Sequence, residues 1–344
     1  MTKSNQSERS AVKPPLITVS DIGIALGLLP LAVLAWTLPH RQWQRVTRVT
    51  APLVARMQRP GPDAIGACVA RTAGTRLPDG AGARIVREIA EAELLRNLRV
   101  VSAATPFARA VPTTLEGREH IDAALARGKG VILWDGHFAH AGGLLTKVAV
   151  HRAGLTLVHL SHPRHGFSDT RFGMRVLNAI WRAAEAPYLE ERVVLSLAGP
   201  VAAMRHLLER LAANAVVSIS VRDTGSQPVF APFLEGILPI ATGAPDLAFR
   251  SGAALIPVFT VIDGAGNPVA TAEPPIELPR DGPRRAAVEA AVAAYAARLE
   301  RWVLRHPGQW FGWLNLALAE GAEPASLPPT GDAKAPAPLR AAKR

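Results

Sequence analysis

Cysteine is nearly absent from this chain: Cys68 is the only one in 344 residues. That excludes an intrachain disulfide framework and any metal site built on several thiolates. Aromatic residues are scarce as well, at 5% of the chain, so Ala, Val and Leu carry the apolar mass of a composition that is 49% hydrophobic. This length and apolar content support a substantial core, in one large domain or two modest ones. Internal repeats are lacking, and so is any dense run of Lys or Arg: the net charge of +11 is spread along the sequence. No zinc-finger or RNA-binding signature accompanies that charge. It therefore points to a membrane surface or an acidic protein rather than to nucleic acid.

Long apolar runs are missing too, with one exception. Residues 22–38 are uncharged and apolar, broken only by Pro30. The run is slightly short of the ~20 residues that cross a bilayer, although a thin or tilted crossing accommodates it. Residues 1–15 before it are polar and basic (Lys3, Arg9, Lys13) and are expected to be disordered. A secretory signal peptide is one alternative, but no Ala-x-Ala-type cleavage site follows. Trp36 and Trp43 are placed as interfacial anchors, and Arg41, Arg45 and Arg48 hold the far end at a lipid surface. We read residues 16–59 as a membrane anchor with a juxtamembrane helix. A core helix of a soluble domain has the same composition, and positive residues on both flanks leave the orientation open.

Residues 60–82 are rich in Gly and Pro and read as a connecting loop. Residues 84–98 carry Ile85, Ile89, Leu94 and Leu98 at helical spacing, and 117–127 reads as another helix. Strands are expected at 131–134, 155–160, 216–221, 254–261 and 269–272. Helical stretches lie between them near 139–152, 171–183, 199–213 and 243–251, and a long Ala-rich helix follows at 283–305. Strand and helix in alternation indicate an α/β fold, with a mixed, largely parallel sheet flanked by helices and an N-terminal membrane-anchoring helix. One domain is expected over 60–320, and the Ala/Pro-rich end, 321–344, reads as a disordered tail.

The most informative stretch is 130–143, GVILWDGHFAHAGG. Its apolar strand stops at Asp135-Gly136, and His137 follows at once. A strand that ends in a histidine beside a helix N-terminus is a common place for α/β enzymes to put a general base. Imidazole takes a proton at neutral pH. A capping histidine fits the same position. Asp135, two residues earlier, shares a strand face with His137; it is equally a strand-end turn residue. His140 could face the same side as His137 on a helical path. Arg171 and Arg175 are one helical turn apart, and a guanidinium suits fixed anion recognition, as it also suits a solvated helix face. Asp223 follows the 216–221 strand, where a sheet's C-terminal edge places site residues, although a plain loop aspartate reads the same. His151, His159, His162 and His165 invite a metal reading, but only Asp169 lies nearby as a carboxylate, so no metal is expected.

Four ordered segments resemble the bacterial lipid A secondary acyltransferases of the lysophospholipid acyltransferase superfamily. The first is Leu115-Glu116-Gly117 through Gly128-Lys129-Gly130-Val131-Ile132 to Gly136-His137-Phe138. The second is Thr170-Arg171-Phe172-Gly173-Met174-Arg175. The third runs from Phe230-Ala231-Pro232-Phe233-Leu234-Glu235-Gly236 through Thr242-Gly243-Ala244-Pro245 to Ile256-Pro257-Val258-Phe259. The fourth is Pro307-Gly308-Gln309-Trp310, with Trp313 beyond it. The resemblance implies a membrane-associated enzyme at the bacterial inner membrane, its catalytic domain facing the cytoplasm. It would move a fatty acyl chain from acyl-carrier protein or acyl-CoA to a lipid or glycolipid hydroxyl, with no metal or organic cofactor. It makes His137 the base, Arg171 and Arg175 candidates for holding phosphate or the carrier's thioester region, and Asp223 a substrate-binding candidate. An oxyanion is expected to find donors in backbone N–H groups near residues 136–139 or in an arginine.

The family signature places an acid five residues after the histidine, and here that position is Gly142. Asp135 is the acid available to replace it if the backbone bends at Gly136. The alternative is a non-catalytic relative that binds lipid or a partner. Around Arg222-Asp223 the family tends to have an Asp-Gln pair. Glu235-Gly236 echoes a phosphate-binding turn but also reads as an ordinary turn, and Trp310 and Trp313 read as packing or interfacial anchors.

Overall fold

The computed structural model describes residues 14–57, 61–104, 111, 113–136, 138, 143–162, 165–195, 200–221, 228–264, 266–313 and 316. At its centre lies β2 (Val131–Asp135), every residue of which is buried. A strand apolar on both faces needs cover on both, which a parallel α/β sheet supplies. β2 pairs in parallel with β5 (Val216–Ser220) on one side and β8 (Ala254–Ile262) on the other. Beyond β5 come β3 (Leu157–Ser161) and β4 (Glu191–Val194), also parallel. Beyond β8, β9 (Pro268–Ala272) runs antiparallel to it, and β1 (Thr114–Glu116) is parallel to β9. The seven-stranded order is β1-β9-β8-β2-β5-β3-β4, and β6 (Pro228–Phe233) and β7 (Gly236–Ala241) form a separate antiparallel hairpin.

Alternate residues of the strands face opposite layers. Ile132, Trp134, Val217, Leu255 and Phe259 share a core with α9 (Val201–Ala212), α10 (Gly243–Ser251) and α11 (Arg284–Arg305). Val131, Leu133, Val216 and Ile256 pack on the other side with α5 (Arg118–Leu125) and α6 (Leu144–Arg152). The N-terminal region folds into α1 (Val19–Thr37), α2 (His40–Met57), α3 (Pro62–Ala73) and α4 (Ala81–Ala103). After β3 come α7 (Arg171–Arg175) and α8 (Leu177–Glu185).

The five strands read from the sequence are present as β2, β3, β5, β8 and β9, and the α/β architecture holds. Three details differ. The loop expected over 60–82 contains α3, whose buried Ile65, Cys68, Val69 and Ala73 recur at helical spacing under a Gly/Pro-rich surface. The helix expected over 171–183 is divided at Val176 (φ −102°, ψ −60°) into α7 and α8. β1, β4 and the β6–β7 hairpin are additions: all four strands lie at a sheet edge, with only partial burial to pattern them. Of the helix expected over 139–152, residues 139–142 lie outside the described residues, as do nearly all of the two expected disordered ends.

From β2 the chain crosses toward β3, and from β8 it turns away toward β9. The carboxyl ends of β2 and β8 therefore flank a topological switch point, where open α/β sheets place their ligand crevice.

Candidate functional site

The end of β2 is held by both of its neighbours. Val221 N–H donates to the Asp135 carbonyl (2.9 Å), and Gly136 N–H donates to the Val258 carbonyl (2.8 Å). Glycine at 136 is required by close approach: a Cβ there would stand 2.7 Å from Phe259 Cδ1 and 3.3 Å from the Tyr295 hydroxyl. Phe138 is buried and forms a β-bridge with Trp310. The side-chain amide of Gln309 accepts from Ile262 N–H (2.8 Å) and donates to the Ile262 carbonyl (2.9 Å), clamping the end of β8. Trp313 Nε1 donates to the Pro307 carbonyl (2.9 Å). The C-terminal Pro-x-Gln-Trp segment thus closes the sheet edge from behind, and both tryptophans are buried packing residues rather than interfacial anchors. His137, His140, Gly142 and Asp223 lie outside the described residues.

Asp135 is 4% exposed. Its Oδ1 accepts from the Thr146 hydroxyl of α6 (3.1 Å), which lies 2.8 Å from the Thr260 hydroxyl of β8. Burial pushes the Asp135 carboxyl up to about 7, against the pull of nearby Lys147 and the Thr146 hydrogen bond. A carboxyl that titrates near neutrality at a sheet's carboxyl edge marks a functional-site candidate.

Beneath it lies a buried ionic hub that sequence reasoning did not find. Lys147 Nζ donates to Glu185 Oε1 (2.7 Å), and Arg192 donates to Glu185 Oε2 (2.5 Å) and to Ser161 Oγ (3.1 Å). His165 Nε2 stands 3.3 Å from the same Glu185 carboxylate. Burial alone would raise the Glu185 pKa, but Lys147 and the histidines beside it hold it well below the usual carboxylate range. His159 Nδ1 stands 2.7 Å from Ser218 Oγ, and burial, then Lys147, push its pKa well below 6.5, so the ring is neutral. The signal in the sequence was a lone lysine in an apolar helix, Leu144-Leu145-Thr146-Lys147-Val148.

Tyr295 of α11 was also missed. It is fully buried, with its ring centroid 4.1 Å from that of Trp134. Among the described residues its hydroxyl has no hydrogen-bond partner. Burial and the carboxylates of Asp135 and Glu273 hold its pKa well above 10, so it keeps its proton and offers a donor toward Gly136.

The backbone donors expected for an oxyanion are partly taken: Gly136 N–H bonds Val258, and Phe138 N–H bonds the Gly136 carbonyl (3.0 Å). Arg171 and Arg175 are exposed on α7. That helix is capped by Thr170, whose hydroxyl accepts from Gly173 N–H (2.9 Å), and its start is tied to the segment before α1 by Arg171 N–H to the Pro15 carbonyl (3.0 Å). Among the described residues no hydrogen bond or ion pair joins either guanidinium to Asp135. Glu235 sits in the β6–β7 turn with its carboxylate accepting from Thr75 N–H (3.0 Å), a plain structural turn. Among the described residues no three His, Cys, Asp or Glu side chains assemble as metal ligands.

A topological switch point, a near-neutral carboxyl beside it and a histidine two residues on in the sequence together suit proton removal from a hydroxyl. A search of curated proteins gave no match. The profile of the bacterial lipid A biosynthesis acyltransferase family matches residues 81–317, from the start of α4 past the Gln309 clamp and across every strand of the sheet. The chain belongs to the bacterial lipid A biosynthesis acyltransferase family.

Proposed function

We propose that the protein is a membrane-associated O-acyltransferase of lipid A-type biosynthesis at the cytoplasmic face of the bacterial inner membrane. It moves a fatty acyl chain from the thioester of acyl-carrier protein or acyl-CoA to a hydroxyl of a lipid or glycolipid. The observation that carries this reading is the family match spanning a sheet whose β2 ends in Asp135 at the switch point, two residues before His137 in the sequence.

In the reaction, His137 takes the acceptor's proton and the freed oxygen attacks the thioester carbonyl. The C–S bond breaks as the ester C–O bond forms, and the proton passes to the departing thiolate. Asp135 stands in for the acid that Gly142 does not supply: ionised, it balances the charge of protonated His137. An orienting carboxylate of this kind is worth up to about 10⁴ in rate in the serine-protease example. Arg171 and Arg175 receive phosphate of the acceptor or of the carrier arm, and Asp223 contributes to acceptor binding. No metal or organic cofactor enters these steps.

Gly142 favours a second reading, a non-catalytic relative that binds lipid or a partner. Lipid mass spectrometry separates the two. Cells carrying the gene are expected to contain a lipid heavier by one acyl chain, and cells carrying His137→Ala are expected to lack it. Persistence of that lipid with His137→Ala removes the histidine from the mechanism. Identical lipids with and without the gene support the binding protein.

A further inference from the structure

α1 is apolar on all sides, but its sides meet different surroundings. Leu28 packs with Val101 and Leu177, and Leu34 and Leu38 pack with Trp43, Leu95 and Leu98. The opposite side presents Ile22, Leu26, Leu29, Val33 and Trp36, each 51–62% exposed. These five recur at alternating steps of four and three residues, so they form one continuous stripe along the helix. No charged residue interrupts it.

The packed side is attached from end to end. At the N-terminus, the Asp21 carboxylate accepts from Thr18 N–H (2.7 Å) and from the Ser168 hydroxyl. Phe172 N–H donates to the Leu16 carbonyl (2.9 Å). At the C-terminus, Trp43 Nε1 donates to the Leu38 carbonyl (3.1 Å). A helix of 19 residues is about 28 Å long, and the domain accompanies it over that whole length. A crossing orientation would carry the domain into the hydrocarbon beside it. α8, whose Leu177 packs on Leu28 at the middle of α1, would be drawn in together with its exposed Arg182. Charges at that depth are strongly disfavoured.

Arginines also lie at both ends of the stripe and nowhere within it. Arg171 and Arg175 are exposed beside its N-terminal end, and Arg41, Arg45 and Arg48 are exposed just past its C-terminal end. Cations at both ends of a crossing helix would sit on opposite leaflets. On a helix lying in the plane, all of them meet one layer of headgroups.

We propose that α1 is an in-plane anchor: its outer stripe lies among the acyl chains of one leaflet, and the arginines at its two ends rest on anionic headgroups of that same leaflet. This rests on the membrane association proposed above. A second copy of the chain, paired through the same stripe, is the competing occupant.

Single cysteines at the exposed ends of α1 test the proposal in the full-length chain. Ser20→Cys and Thr37→Cys are each expressed in bacteria and probed with a membrane-impermeant maleimide in right-side-out and inside-out membrane vesicles. The native Cys68 is buried, so the unmodified protein serves as the blank. The expected result is that both cysteines react in the same vesicle orientation, at least tenfold faster than in the other. Reaction of the two in opposite orientations means that α1 crosses the bilayer and overturns the proposal. Flotation of the purified protein with phosphatidylglycerol/phosphatidylethanolamine vesicles is the companion measurement. Leu29→Glu, on an exposed position, is expected to cut the bound fraction at least tenfold. A protein that stays unbound, or a soluble dimer that loses its partner with Leu29→Glu, overturns both the in-plane anchor and the membrane association beneath it. A protein that floats but labels from opposite sides overturns the in-plane anchor alone.

Discussion

Asp135 shows how much one residue's surroundings decide. Its identity and its place before His137 were legible in the sequence. Its titration was not, because the burial that raises it comes from distant elements that local pattern cannot bring together: Thr146 and Lys147 approach it from α6, and Thr260 of β8 stands behind Thr146. Burial lifts the carboxyl from 3.8 to about 7, so the folded protein holds a proton that the unfolded chain releases. Stability tied to that proton is fully present below pH 3.8 and is lost as pH rises through about 7. Denaturant unfolding is therefore expected to show a decline over that window that Asp135→Asn removes. The rate carries the opposite slope: acyl transfer is expected to rise through pH 7 as the carboxylate forms, and Asp135→Asn to abolish that limb while lowering the rate by two orders of magnitude or more. An unchanged pH profile in Asp135→Asn would remove the carboxyl from the mechanism. Gly136 is the complementary case, legible as a turn glycine but required for another reason, the aromatic rings of Phe259 and Tyr295 packed against it.

At the scale of elements, the Glu185 carboxylate joins α6, α8 and β4 through Lys147 and Arg192. Removing one partner of a buried ion pair strands the other, which costs about 3–5 kcal/mol. Glu185→Gln is expected to lose stability of that order in urea unfolding at pH 7. The double variant Lys147→Met, Glu185→Leu is expected to lose less than Glu185→Gln alone, because it buries one uncompensated charge fewer. Equal losses would mean that packing, not charge, sets the cost. The contribution of Glu185 is complete above the ordinary carboxylate value of 4.5, since its folded pKa lies well below that, and it fades as pH falls further. Strongly periodic elements such as β2, α10 and α11 were legible because their burial is one-sided or complete. α3 was obscured by Gly and Pro around a valid helical stripe, and β4 by an edge position that buries only Val193 fully.

For the whole molecule, the alternation of strands and helices carried the α/β class, and the ordered segments carried the family. The antiparallel return of β9 and the docking of α1 along α4 depend on contacts between distant segments, which composition alone does not encode. The switch point between β2 and β8 follows from that strand order. It places Asp135, Gly136 and Phe138 at the edge where the proposed acyl transfer would occur. The C-terminal clamp on Ile262 completes the edge and ties residues past 305 to the same site. The most direct test of acyl transfer at this edge is a single-turnover reaction of the purified full-length protein, in vesicles carrying a lipid A-type acceptor, with acyl-carrier protein bearing a labelled acyl thioester. Label is expected to move from thioester to lipid ester with the wild type and to fall by at least a hundredfold with His137→Ala. Equal transfer by the two proteins, or none by the wild type, would contradict the account.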